Sequence, residues 1–113
     1  MSDKETQVNW NTKEKRELVE AILSLKDKDE AERFLCDLLT KQEIEEFSNR
    51  FLAARMLSQD VQYNAIIEKT GLSSTTIARV SKALKGIFGG YRSVINNLHH
   101  HNHSQLKLGK GLV

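Results

Sequence analysis

The sequence predicts an all-α protein, a helical bundle that contains a helix-turn-helix, and three observations lead there. None of its 113 residues is proline, so no helix is broken by a missing backbone donor. Alternating β-branched segments bounded by turn pairs, the mark of strands, do not occur. Apolar residues instead recur at three- and four-residue spacing in successive blocks, most of them opened by a residue able to cap a helix.

Composition narrows the class. With 39% apolar and 28% charged residues, the chain reads as one soluble domain with a modest core, of the size that a second copy often completes. No apolar stretch approaches membrane-spanning length. The first ten residues carry no apolar segment suited to export, so a cytoplasmic location is expected. Cys36 is the single cysteine; lying among Phe34, Leu35, Leu38 and Leu39, it is expected as a buried, inert thiol. One cysteine can build neither a disulfide framework nor a zinc cluster. The net charge of +2 is small, but it is unevenly spread: residues 1–58 hold 10 Lys+Arg against 13 Asp+Glu, a balance of −3, and residues 59–113 hold 7 against 2, a balance of +5. A polyanionic partner on the second half fits that asymmetry, because neutralising phosphates supplies the sequence-independent part of nucleic-acid affinity.

In chain order, residues 1–10 form a polar, flexible N-terminus and residues 11–98 the helical domain. Asn11 with Glu14 three positions on resembles a reciprocal cap. The first helix then presents Leu18, Val19, Ile22 and Leu25 on one face and ends near Leu25. Asp29 caps a short second helix, whose buried side is Phe34, Leu35, Leu38 and Leu39. Thr40-x-x-Glu43 is a strict capping box and gives the best-defined boundary in the chain. The third helix it opens has Ile44, Phe47, Phe51, Ala54 and Leu57 facing inward and runs to about Leu57. Arg50 and Arg55 interrupt this apolar region, and an arginine there needs a carboxylate or a ligand; Glu46, four residues before Arg50, is the natural partner.

The helix-turn-helix spans 61–88. Its first helix carries Ile66, Ile67 and Thr70 and stops at Gly71, where positive φ is expected. The hydroxyls of Ser73 to Thr76 then cap a second helix that begins at Ser73 or Ser74. From Ile77 the apolar stripe continues through Val80, Leu84, Ile87 and Phe88, expected to face inward. The other face is small at its start and cationic further on. Ser74, Thr75, Thr76, Ala78 and Arg79 are therefore the residues expected at a major groove, with Arg79, Lys82 and Lys85 on phosphates. One departure is the bulky Ile67, at a position where a small residue often lets the two helices approach. Tyr91, Val94, Ile95 and Leu98 mark a last amphipathic helix. Residues 99–113 form a His-rich polar tail, in which His99, His100, His101 and His103 stand close in sequence. His99 and His103 are four apart, but two imidazoles without a third fixed ligand make a weak site, so no metal is expected.

Three segments together carry a resemblance: SLKDKDEAERFLCDLLT at 24–40; Thr40, Glu43 and Arg50 followed by Ala54-Arg55-Met56-Leu57; and Thr70-Gly71 running into Thr75-Thr76-Ile77-Ala78-Arg79-Val80. Over about residues 15–88 the chain resembles the Trp repressor superfamily, and within it the Trp-repressor-related proteins of the YerC/YecD type. The resemblance implies an intertwined homodimer, interlocked through its outer helices, with two helix-turn-helix units meeting successive major grooves of double-stranded DNA. It also implies a pocket for a small-molecule effector at Thr40, Arg50 and Arg79, the places matching those that hold tryptophan in Trp repressor. Glycine and serine of the tryptophan-binding protein are here Val80 and Ala83, and a β-branched side chain in that slot collides with an indole ring. The effector is therefore expected not to be tryptophan. A sequence-specific, homodimeric transcription regulator, most simply a repressor, is the leading expectation. The alternative is a protein-interaction module that keeps the helix-turn-helix only as a packing unit, favoured by Ile67 and by the modest charge. No nucleophile-and-base pair, glycine-rich phosphate loop or metal cluster is present in the pattern, so an enzyme is not expected.

Overall fold

The computed structural model describes residues 7–100. Of the tail histidines, His101 and His103 lie outside that range. Five helices are complete: α1 (Lys13–Leu23), α2 (Lys28–Leu38), α3 (Lys41–Ser58), α4 (Tyr63–Thr70) and α5 (Ser74–Lys85). A sixth, α6, occupies 90–100. Among the described residues there is no strand, and no helix is long and apolar enough to cross a membrane. The chain divides into two compact units, Met1–Lys41 and Gln42–Val113.

In the first unit both helix starts differ from the expected ones. α1 is capped by Thr12, whose hydroxyl accepts from the Lys15 amide at 3.3 Å. Asn11 instead accepts from Arg16 Nη2 at 2.8 Å. α2 is capped by Asp27, not Asp29: its carboxylate accepts from the Glu30 amide at 2.9 Å while Glu30 accepts from the Lys26 amide at 3.0 Å. That reciprocal pair satisfies two backbone donors and lengthens the helix by two residues, which a cap at Asp29 would forgo. Asp29 is left to pair with Arg33 at 2.9 Å. α1 ends at Leu23, two residues earlier than expected, because the Ser24 hydroxyl donates to the Ala21 carbonyl at 2.7 Å and closes the last turn. Neither α1 nor α2 contains a buried residue. Leu18, Val19, Ile22, Leu35 and Leu38 are all exposed, and Cys36 is exposed rather than buried. Periodicity places these side chains on helix faces, but the first unit by itself does not bury them.

The second unit holds the core. α3 begins immediately after Thr40, where the capping box puts it. Ala53 and Ala54 on α3, Ile66 on α4, and Ile77 and Val80 on α5 form one buried cluster, with Met56, Leu57, Val61, Ile67 and Leu72 packed around it. Ile66 and Ile77 are fully buried, which is worth about 1.5–3 kcal/mol each in transfer from water. α5 ends at Lys85, and Gly86 leaves the helix with an extended backbone. Ile87 and Phe88, expected to continue the buried stripe, are 72% and 74% exposed. The stripe stops because the helix does.

Candidate nucleic-acid interface

The turn between α4 and α5 is held by local chemistry at each step. Gly71 takes φ +73°, and its N–H donates to the Ile67 carbonyl at 2.8 Å. The buried Thr70 hydroxyl donates to the Ile66 carbonyl at 2.7 Å and accepts from the Leu72 amide at 3.2 Å. Ser73 then caps α5 by accepting from the Thr76 amide at 3.1 Å, while its own hydroxyl donates to Thr76 Oγ1 at 3.0 Å. The result is a two-helix unit whose second member is fixed at its N-terminus.

Burial along α5 separates two faces. Ile77, Val80, Ser81 and Leu84 are buried. Ser74, Thr75, Ala78, Arg79, Lys82 and Lys85 are exposed and Thr76 is half-buried, so every residue expected at a groove reaches the outer face in at least part. Thr76 is the partial exception, since its hydroxyl is engaged in the cap. α5 contains no acidic residue. Among the described residues the ion pairs are Lys13–Glu17, Lys28–Glu32, Arg33–Asp29 and Arg50–Glu46. None of them engages Arg79, Lys82 or Lys85, leaving three cations on one helix with no carboxylate partner.

Arg79 also lines a cleft of ≈ 240 Å³ with Arg50, Thr76, Val80, Ala83 and Tyr91. The structure thus brings Arg50 and Arg79 to one place; Thr40 belongs to the first unit, at the foot of α3. Arg50 donates from Nη2 to Glu46 Oε2 at 2.7 Å, the partner its spacing predicts, and its guanidinium lies 5.5 Å from the Phe47 ring centre. Its Nε is buried with no hydrogen-bond partner. Tyr91 was not legible as a cleft residue: it belongs to α6, and no local signal places it beside Arg50 and Arg79. Arg55 is exposed on the outside of α3 and needs no buried partner. Among the described residues no group of three or more His, Cys, Asp or Glu is placed to hold a metal; the His99 and His100 rings lie edge to face, 6.2 Å apart.

Comparison with known proteins agrees with this architecture. The family model described as Trp repressor protein matches residues 13–99. The uncharacterised protein YerC of Bacillus subtilis (strain 168) is 44% identical over 72 residues, 64% of this chain and 69% of that one. Among solved structures, a TrpR-like protein from Eubacterium eligens ATCC 27750 is 44% identical with a TM-score of 0.75, covering 80% of this chain and 93% of that chain. A candidate Trp repressor from Staphylococcus aureus is 29% identical with a TM-score of 0.74, covering 88% and 95%. With a match running from the first residue of α1 nearly to the last described residue of α6, and a helix-turn-helix built as above, this chain belongs to the Trp repressor protein family.

Proposed function

We propose that the protein is a homodimeric, sequence-specific DNA-binding transcription regulator, most simply a repressor, acting in the cytoplasm. The observation that carries this reading is the outer face of α5: Ser74, Thr75 and Ala78 exposed at its start, Arg79, Lys82 and Lys85 further along, and no acid on the helix. Small hydroxyl and methyl groups suit base edges, and unpaired cations suit phosphates. The apolar faces of α1 and α2, in which no residue is fully buried, are the surfaces a second copy would cover, and two α5 helices would then meet two half-sites. The test is a gel shift against random duplex at stepped salt. Binding that weakens steeply with salt and selects one sequence supports the reading, and absence of any salt-sensitive binding ends it.

The cleft at Arg50 and Arg79 is the place for an effector. The two guanidinium groups of Arg50 and Arg79 lining it favour an anionic guest. Val80 is 4% exposed and fixed in the core, so it cannot swing aside for an indole. Titration of L-tryptophan in a calorimeter is therefore expected to give no heat, and a micromolar isotherm would overturn this part of the reading.

A second reading has one observation in its favour. Ile87 and Phe88 stand exposed beside an apolar cleft lined by Phe51, Ala83, Phe88, Gly90, Tyr91 and Val94, as a protein-binding module would have them. A pull-down that recovers one protein and no nucleic acid would favour it.

A further inference from the structure

α4 and α5 end in different ways. At the end of α4 the left-handed Gly71 returns its own N–H to the helix. At the end of α5, Gly86 is extended (φ −80°, ψ −174°), its N–H reaches only the Ala83 carbonyl, and no left-handed cap follows. The carbonyls beyond are met from α6. Arg92 Nη1 receives both: it donates to the Leu84 carbonyl at 2.5 Å and to the Gly86 carbonyl at 2.9 Å. A cation at a helix C-terminus is favoured by the helix dipole as well as by the hydrogen bonds, and the two N–H groups of Nη1 serve one carbonyl each.

The loop between the two helices is shaped around that guanidinium. Gly89 takes φ +68°, and a Cβ there would stand 3.0 Å from Arg92 Nη2. A Cβ on Gly86 would stand 3.1 Å from the Lys82 carbonyl. Gly89 in turn accepts from the Ser93 amide at 3.0 Å, the bond that starts α6. Gly89, without a side chain, therefore leaves room for one arginine, which spans from the first turn of α6 to the last turn of α5, while Gly86 lets the backbone pass close to the α5 carbonyls. The basic residues on that last turn are Lys82 and Lys85.

We infer that Arg92 is a positioning residue for duplex binding: by clamping the C-terminal end of α5 to α6 it fixes where Lys82 and Lys85 are presented, without itself touching DNA. This rests on α5 being the duplex-reading helix. It makes Arg92 energetically dependent on those two lysines, because a clamp matters to binding only through what it holds.

The experiment is a double-mutant cycle on the full chain, with a readout in the free protein. Arg92→Ala, checked for helix content by circular dichroism, is expected to weaken binding to the selected duplex about tenfold, a coupling of ordinary size for groups in one network. In the Lys82→Ala/Lys85→Ala background the same change is expected to cost less than about twofold. Arg92→Lys, which keeps the charge and three donors, should recover part of the loss. In the free protein, amide exchange at Ala83 to Gly86 should accelerate in Arg92→Ala while Ile66 to Thr70 stay protected. A penalty of equal size in both backgrounds would mean that Arg92 meets phosphate directly or acts only through global stability, and would overturn the clamp. Unchanged exchange at the end of α5 would overturn it too. Failure of the unmodified protein to bind any duplex would instead remove the DNA-binding reading, and the exchange data alone would then decide whether the clamp exists.

Discussion

Gly71→Ala isolates a single physical effect, because the position is strained for any side chain yet crowded by nothing. Its φ is +73°, and a Cβ built there meets no atom within 4 Å. Its N–H bond to the Ile67 carbonyl, 2.8 Å long, does not depend on the side chain. The whole cost is therefore backbone: holding an L-residue in the left-handed region costs about 1–2 kcal/mol. With an unfolding entropy of about 2.1 cal/mol/K per residue, a chain of this length loses about 4 °C per kcal/mol, so a fall in Tm of about 4–9 °C is expected. The assay is thermal and urea unfolding at one fixed protein concentration, since dimerisation would make both midpoints concentration-dependent. Gly71→Asn supplies the control, because asparagine tolerates the left-handed region and should lose clearly less. A loss above about 3 kcal/mol would mean a clash that the open space around Gly71 forbids. Equal losses for alanine and asparagine would refute the conformational account itself.

Three further outcomes are expected. Ile77→Ala, at a fully buried position, should destabilise by about 2–5 kcal/mol in urea unfolding, since the cavity adds to the lost transfer energy. Ile22→Glu places a charge on the exposed apolar face of α1 and should leave each chain helical while converting a dimer to monomers in sedimentation; an unchanged dimer would show that this face is not the interface. Lys82→Ala should weaken binding to every duplex and reduce the salt slope by about 0.9 for the phosphate lost, whereas Thr75→Val should change which sequences are preferred and leave the slope alone.

The helix-turn-helix was legible because its causes are local. Gly71 at positive φ, the Ser73 cap, and the inward Ile77–Val80–Leu84 stripe all depend on residues within one or two turns of each other. The Glu46–Arg50 pair was legible for the same reason, being four apart on one helix. Short-range competition shifted the starts of α1 and α2 by one and two residues: neighbouring Asn11 and Thr12, or Asp27 and Asp29, are each chemically able to cap, and geometry chose. Beyond that range the sequence was silent. Periodicity placed Leu18, Ile22, Leu35 and Cys36 on helix faces but could not say that the first unit by itself does not bury them. It carried the stripe on to Ile87 and Phe88, although the helix had already ended.

What the sequence determined by itself, then, is the set of helices, the turn at Gly71 and the cationic outer face of α5, because hydrogen-bonded turns and side-chain spacing along one helix are fixed by neighbours in the chain. What only the tertiary structure decided is which distant groups meet: Arg50 and Arg79 with Tyr91 around one cleft, Ala53 and Ala54 making room for Ile66 and Ile77, and Arg92 on the carbonyls of Leu84 and Gly86. Those meetings depend on how helices pack, and packing is set by the volumes and shapes of all the partners at once, which no single stretch of sequence contains.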